Sequence, residues 1–185
     1  QPDTPQGRRD ALLMCLLLDH GLRCGEIAAL TVEAFILDAE QRSGHFTFYR
    51  QNVGKTQTHN LTRDSYQAAL VYLQDDAPPT GKLLAASSKG GKLDHSDKGM
   101  SERAITKRVK YLGEKIGIVG LSAHDGRHSA ATEVARRKDV TLDRMVEMFG
   151  WNSPAMALTY IEAAQRANEG VDFDEIGRAS CRERG

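Results

Sequence analysis

Apolar residues recur at helical spacing in several segments of this chain, and glycine, proline or polar stretches separate those segments. In residues 8–20, leucines lie three and four positions apart, which predicts a helix that Gly21 ends. Residues 25–30 predict a second, shorter helix. Further helices are predicted over residues 64–75, from Ser101 to about Lys115, from residue 123 onward, from Thr141 to Phe149, and from Ser153 to a stop at Gly170.

A different pattern, rich in aromatic and β-branched residues, lies between the second and third predicted helices. The segment GHFTFYRQNVGKTQTHNLT predicts a β-hairpin whose turn lies near Gly54, and residues 35–37 predict a short third strand. Residues 86–99, which are mostly Gly, Ser, Lys and Asp, predict a loop. The fold class that follows is α+β and predominantly α-helical, with one small three-stranded antiparallel β-sheet.

Length and composition favour one globular domain. The chain has 185 residues, of which 40% are apolar and 27% are charged, and these values are typical of a soluble protein with a substantial core. No run approaches the roughly 18 apolar residues that cross a bilayer. Residues 177–185 lack periodicity, so we interpret residues 1–176 as the domain and the remainder as a tail of the kind that cloning leaves.

The charge balance bears on any function that involves nucleic acid. The 25 Lys and Arg residues equal the 25 Asp and Glu residues, so the formal net charge is zero, whereas nucleic-acid-binding domains usually carry a basic excess. The distribution is uneven, because residues 101–150 hold ten basic against seven acidic residues and residues 1–50 hold five against seven. A locally basic face is therefore expected, but strong unaided binding to DNA is not.

The cysteines give information on the compartment. Cys15, Cys24 and Cys181 are odd in number and have no CxxC spacing. This argues against a disulfide framework and against a zinc site, and it favours a reducing compartment. The other residues suggest no metal site either.

Candidate chemistry is concentrated in four short motifs. Each of their residues alone has an ordinary structural explanation, such as a surface arginine, a solvated turn lysine, a helix-capping group or a packing aromatic. Their combination is hard to produce by chance. In chain order the motifs are GLRCGE with Arg23 and Glu26, VGKT with Lys55, HDGRH with His124, Arg127 and His128, and FGWNSPAMALTYIEA with Trp151 and Tyr160.

The ordered set Arg, Lys, His-x-x-Arg, Trp and Tyr resembles the catalytic domain of the tyrosine recombinases, the phage-integrase family. The resemblance runs from about residue 8 to residue 166. Two positions depart from the common pattern. Trp151 stands where many members have His, and Gly126 stands where a leucine is common, which predicts looser helix packing at that point.

The resemblance implies cleavage of a DNA phosphodiester by a tyrosine. Tyr160 would attack phosphorus and leave a 3′-phosphotyrosine, which conserves the bond energy for religation. Arg23 and Arg127 would bind the non-bridging oxygens through their planar guanidinium groups. The dense HDGRH motif would then be half of a phosphate clamp at a helix N-terminus, where free backbone N–H groups favour an anion.

The remaining motif residues fit supporting tasks in that reaction. Lys55 resembles the family's general acid for the 5′-oxygen, and Trp151 can only donate a hydrogen bond from its indole N–H. His124, with His128 in support, would donate hydrogen bonds or move protons. Glu26 is expected to orient Arg23 or another cation rather than to touch the substrate.

The resemblance also implies partners. The substrate would be double-stranded DNA, the isolated chain a monomer, and the assembly on DNA a homotetramer that exchanges a C-terminal segment, here residues 167–176. Neither a cofactor nor a metal nor a membrane is implied, and the expected location is the bacterial cytoplasm, at the nucleoid. Nothing in the chain matches the family's N-terminal DNA-clasping domain, so we interpret it as the isolated catalytic half.

Two alternatives remain open from the sequence. A type IB topoisomerase has similar catalytic residues and chemistry, and strand exchange between two sites would distinguish a recombinase from it. A non-catalytic DNA-binding accessory protein could keep the same fold, and a covalent protein–DNA adduct would exclude it.

Overall fold

The computed structural model describes residues 3–88, 92–95, 98–137 and 139–164. The described helices are α1 (Pro5–Leu18), α2 (Cys24–Ala29), α3 (Arg63–Asp75), α4 (Glu102–Lys115), α5 (Ala123–Ala135), α6 (Leu142–Phe149) and α7 (Pro154–Ala164). The strands are β1 (Phe35–Asp38), β2 (Ser43–Arg50), β3 (Lys55–Asn60), β4 (Ala86–Ser87) and β5 (Leu93–Asp94). Two 3₁₀ turns, Val32–Ala34 and Gln51–Val53, precede β1 and β3.

The predicted three-stranded sheet is confirmed. Its order is β1-β2-β3, and both neighbouring pairs are antiparallel. The hairpin between β2 and β3 turns at Gly54, whose φ of 61° is in the left-handed region that glycine adopts without strain. The register pairs Arg50 with Lys55 at the tip of this hairpin.

Most helices begin at a Ser or Thr whose side chain accepts a backbone N–H of the first turn, as their sequences predict. The helix start at residue 8 was wrong, because α1 already begins at Pro5. There Thr4 accepts the N–H of Gly7 at 3.0 Å. The other capping residues of this kind are Thr62, Ser101, Ser122 and Thr141.

The prediction of a loop over residues 86–99 was wrong in one respect. β4 pairs antiparallel with β5, with Ala86 opposite Asp94 and Ser87 opposite Leu93. Each strand has only two residues, which is too short for an alternating pattern to be recognised in the sequence.

The apolar core consists of two clusters. The larger cluster packs α1 and the three-stranded sheet against α2, α3 and α4, with fully buried residues such as Leu13 and Phe46. The smaller cluster joins α5, α6 and α7 around Phe149 and Met145, neither of which is exposed. Helix α5 also packs on α1, so the two clusters lie side by side. The site described below lies where they meet.

The looser packing expected at Gly126 was wrong. Gly126 is buried in α5, and a Cβ atom there would lie 3.2 Å from the Cβ of Leu17 in α1. The missing side chain therefore lets the two helices approach closely instead of leaving a gap.

Several predictions concern residues outside those described. They are the helix stop at Gly170, the segment 167–176, the tail 177–185 and Cys181. The cysteines that are described, Cys15 and Cys24, are both free thiols.

None of the described helices combines the length and the apolar character that crossing a membrane requires.

Candidate active site

Arg23 and Glu26 meet at the start of α2. Arg23 is the N-cap residue, and the Glu26 carboxylate accepts its backbone N–H at 2.8 Å and its side-chain Nη1 at 3.1 Å. This is a capping box, in which a side chain three residues into the helix reaches back to the cap. Glu26 is 7% exposed, whereas the Arg23 side chain is 33% exposed. Arg23 is therefore held at one edge of its guanidinium and accessible at the other.

Arg127 lies in the second turn of α5 and is buried. Its Nη1 donates to the carbonyl of Gly21 at 2.6 Å, and its Nη2 donates to the carbonyl of Phe149. The guanidinium carbon also lies 5.4 Å from the centroid of the Phe149 ring, a cation–π contact. Arg127 thereby connects the turn that precedes Arg23 with the end of α6.

A third arginine, Arg50, completes the cluster. It ends β2 and is fully buried, and its Nη1 lies 3.0 and 3.2 Å from the two carboxylate oxygens of Glu26. The same nitrogen donates to the carbonyl of Phe149 at 3.3 Å, the carbonyl that Arg127 also binds. The three arginines are thus linked through Glu26 and Phe149.

The cluster is electropositive, because three guanidinium groups face one carboxylate. Burial, together with the positive charges of Arg23 and Arg50, lowers the pKa of Arg127 to about 10. Burial also lowers the pKa of Arg50, against the attraction of Glu26. Three neighbouring guanidinium groups repel one another, so the site favours an anionic ligand that would relieve this repulsion.

Tyr160 lies beside this cluster on α7. Its hydroxyl forms a 2.8 Å hydrogen bond with Nδ1 of His128, which is exposed on α5. Tyr160 is half-buried, and its proximity to Arg127 is sufficient for the two to interact electrostatically. The phenol oxygen thus has an imidazole nitrogen on one side and a guanidinium nearby.

Aromatic stacking fixes the ring of Tyr160. The rings of Trp151 and Tyr160 are 5.4 Å apart between centroids and 9° from parallel, and Trp151 stacks on Phe149 at 4.9 Å. Offset stacking at such distances is favourable. Trp151 follows Gly150, the left-handed residue that ends α6, so the end of α6 positions both the Phe149 carbonyl and the stack.

Two predicted residues stand apart from this network. Lys55 begins β3 at the hairpin tip, and His124 is in the first turn of α5, and both are exposed. Neither side chain forms a hydrogen bond or an ion pair with any other described residue. The structure therefore links Arg23, Glu26, Arg127, His128, Trp151 and Tyr160 through side-chain contacts, whereas Lys55, opposite Arg50 in the sheet, and His124 make no such contact among the described residues.

Sequence reasoning missed Arg50, although a signal was present. In β2, Phe46, Phe48 and Arg50 alternate with more exposed residues, so they share one face of the strand. Both phenylalanines are buried, which places the arginine on the core side. A cation on a buried face requires a partner, and Glu26 is that partner.

The chemistry available to this arrangement follows from its donors. Guanidinium N–H groups bind tetrahedral oxyanions, and a phenol with an imidazole partner can act as a nucleophile. Within the described part of the chain, no group of three or more His, Cys, Asp or Glu side chains is placed to hold a metal ion.

Solved structures share this fold. The XerH site-specific recombinase bound to a palindromic difH substrate, in a post-cleavage complex, has a TM-score of 0.69 at 18% identity over 95% of this chain. The Tn1549 transposon integrase in complex with transposon right end DNA has a TM-score of 0.60 at 17% identity over 98% of this chain. The integrase from mycobacterium phage Brujita has a TM-score of 0.56 at 23% identity over 88% of this chain. The aligned part is 48%, 60% and 48% of those proteins, so this chain spans about half their length.

Sequence comparison gives the same relationship. A protein described as "Putative integrase/recombinase y4gC" from Sinorhizobium fredii strain NGR234 is 29% identical over 180 residues, which is 94% of this chain and 86% of that protein. The model of the phage integrase family matches residues 1–166. That match spans most of the chain and contains every residue of the cluster described above, so the chain belongs to the phage integrase family.

Proposed function

We propose that residues 1–176 form the catalytic domain of a site-specific DNA recombinase that cleaves and rejoins duplex DNA through a 3′-phosphotyrosine on Tyr160. One observation carries the proposal: a tyrosine hydroxyl, hydrogen-bonded to His128 at 2.8 Å, lies near Arg127 in a cluster of three arginines, two of which pair with a single carboxylate. A phosphodiester is the substrate whose charge and geometry fit this arrangement. Family membership supports the same reaction class.

In the proposed reaction the oxygen of Tyr160 attacks phosphorus as the bond from phosphorus to the 5′-oxygen breaks. His128 accepts the phenol proton through Nδ1, and the leaving 5′-oxygen takes a proton from Lys55. The hairpin tip allows Lys55 to reach the DNA, since its side chain is exposed. Attack by the 5′-hydroxyl of another strand then reverses these steps and rejoins the DNA.

The arginines stabilise the five-coordinate transition state. Arg23 presents its solvent-facing edge, and Arg127 contributes from the buried side. Preorganised donors of this kind each contribute several kcal/mol. The indole N–H of Trp151 and the imidazole of His124 are assigned to the same phosphate as hydrogen-bond donors.

The proposed assembly is a tetramer on bacterial DNA, formed by chains that are monomers in isolation. Exposed apolar side chains support contacts between copies. Ile116 is 70% exposed, Val119 is 88% exposed, and Met156 on α7 is 49% exposed. Size measurement by mass photometry, with and without captured DNA, tests this assembly.

Covalent capture tests the proposed reaction. The chain, alone and fused at its N-terminus to a sequence-specific DNA-binding domain, is incubated with nicked duplexes of randomised sequence, whose nick prevents religation. Adducts are isolated on denaturing gels, the DNA is sequenced, and the attached residue is mapped. We expect an adduct on Tyr160 that Tyr160→Phe abolishes without loss of folding or DNA binding.

Tyr111→Phe is the matched control, because Tyr111 is 44% exposed on α4 and should leave the adduct unchanged. An adduct on Tyr66, Tyr72 or Tyr111 would contradict the assignment. Absence of any adduct from both forms would favour a non-catalytic DNA-binding protein. With the captured site in hand, strand exchange between two copies distinguishes a recombinase from a topoisomerase, which would only relax supercoils.

A further inference from the structure

Arg50 is a buried charge that none of the reaction steps above uses. It has no exposed surface, and the Phe48 ring lies 4.8 Å from its guanidinium carbon. Burying a guanidinium is costly unless its donors are satisfied. Retaining one at the centre of the arginine cluster requires a compensating role.

Each nitrogen of Arg50 donates to protein. Nη1 binds both oxygens of Glu26, Nη2 donates to the carbonyl of Met148 at 2.8 Å, and Nε donates to Oε1 of Gln57 at 2.5 Å. Gln57 in turn donates from Nε2 to the carbonyl of Glu147 at 2.6 Å. Arg50 therefore binds the sheet to the carbonyl end of α6 and is not available to a ligand.

We propose that Arg50 is a positioning residue that keeps Arg23 available for the phosphate. This inference rests on the proposed function. Glu26 divides its charge between two arginines and holds the Arg23 side chain by a single 3.1 Å contact. Without Arg50, the buried carboxylate would have Arg23 as its only cationic partner and would draw that guanidinium into a two-pronged pair, away from the ligand.

A second consequence concerns Arg127 and Trp151. Arg50 binds the carbonyls of Met148 and Phe149, the last turn of α6. That turn supplies the carbonyl that Arg127 binds and leads directly to Trp151. Arg50 therefore positions Arg23 through Glu26 and Arg127 through the last turn of α6.

The test measures single-turnover cleavage of a nicked duplex that carries the captured site. We expect Arg50→Met to slow cleavage by roughly 10- to 100-fold at saturating DNA, with DNA affinity changed less than about threefold. Adding Glu26→Gln to Arg50→Met should recover about tenfold of the rate, because the uncompensated carboxylate that captures Arg23 is gone. Arg50→Lys keeps the charge but not the planar fork, so its cleavage rate should lie between those of the unsubstituted chain and of Arg50→Met.

A methylphosphonate at the scissile position separates positioning from a general folding defect. This group lacks the negative charge that Arg23 would neutralise, so Arg50→Met and the unsubstituted chain should cleave it at rates within about threefold. Arg9→Met is the matched control, because Arg9 is 1% exposed, pairs with the buried Asp10, and forms no hydrogen bond with a residue of the site. It should lower stability without this substrate dependence.

Three results would overturn the inference: cleavage by Arg50→Met at the rate of the unsubstituted chain, an equal loss of rate on both substrates, or the same substrate dependence in Arg9→Met.

Anion binding tests the inference independently of turnover, so that its failure can be told apart from failure of the proposed function. Trp151 is the single tryptophan of the chain, and its fluorescence should report orthovanadate binding. Arg50→Met should weaken that binding about tenfold, and equal affinities would refute the role of Arg50. Absence of any response from the unsubstituted chain would refute the anion site.

Discussion

Arg127 uses two of the three nitrogens of its guanidinium group to bind the protein itself. The carbonyls of Gly21 and Phe149 accept from its Nη1 and Nη2, on opposite sides of the cluster. The Nε and the second N–H of each Nη group remain for a ligand. The geometry proposed to bind a phosphate is therefore the same geometry that joins the turn after α1 to the end of α6, and a lysine ammonium cannot reproduce both sets of contacts.

Arg127→Lys should therefore reduce cleavage far more than DNA binding. An ammonium cannot span two carbonyls and a phosphate as the planar fork does, and loss of one such donor costs on the order of 2–4 kcal/mol in the barrier. Single-turnover cleavage and equilibrium binding at fixed salt measure the two effects. Arg136→Lys is the control, because Arg136 is the C-cap residue of the same helix and its side chain is 60% exposed. Equal losses in cleavage and binding would make Arg127 a residue of general affinity instead.

At the level of elements, the end of α6 is the most constrained junction in the site. Gly150 has a φ of 56°, and a Cβ atom there would lie 1.9 Å from Cδ of Arg50. A side chain at this position would therefore strain the backbone and require Arg50 to shift. The same junction supplies the Phe149 carbonyl and begins the aromatic stack with Trp151.

Gly150→Ala should lower the free energy of unfolding more than a substitution at a glycine where the backbone is strained but the new methyl group meets no other atom. Gly117, after α4, has a φ of 81° and nothing within 4 Å of its Cβ position. Gly117→Ala should therefore lower the free energy of unfolding by about 1 kcal/mol, because alanine is strained in the left-handed region. Gly150→Ala should lower it by roughly 1–3 kcal/mol more, because Arg50 must move. Urea denaturation of both variants measures the difference, and equal losses would show that Arg50 moves aside freely.

Elements whose formation depends on residues close together in the sequence were predictable from the sequence. The helices followed from apolar spacing and capping residues, and the hairpin turn from Gly54. The β4–β5 pair was not predictable, because strands of two residues are too short to show an alternating pattern. The close approach at Gly126 was missed because its neighbour in space, Leu17, is distant in sequence.

The site was predictable to the extent that its residues carry recognisable chemistry in short motifs. The motif residues that meet in the structure include Arg23, Arg127 and Tyr160, whereas their roles in catalysis stay predictions. Arg50 has no motif, and its partners lie 24 residues before it and 98 and 99 residues after it. Its burial on the face of Phe46 and Phe48 was the available indication.

For the whole molecule, the affinity for DNA should depend on the charge of one local cluster rather than on the net charge. The net charge is zero, yet the described cluster sets Arg23, Arg50 and Arg127 against the single carboxylate of Glu26. A neutral molecule with one basic site gains little from long-range attraction to DNA. Its affinity then depends on the few phosphates that this face contacts.

The chain should therefore bind duplex DNA weakly, with an affinity that falls steeply as salt increases. We expect the exposed face around Arg23, Arg127 and Lys55 to contact about three phosphates, the scissile one included, which predicts a slope of roughly −3 for log K against log salt concentration. Lys55→Met removes one cation from that face and should make the slope shallower by up to about one. Arg50→Met should leave the slope unchanged, because that arginine is buried and satisfied by protein oxygens. Fluorescence anisotropy with a labelled duplex at several salt concentrations measures all three slopes. Tight binding that barely changes between low and moderate salt would contradict the prediction and would require a DNA-binding surface beyond this basic face.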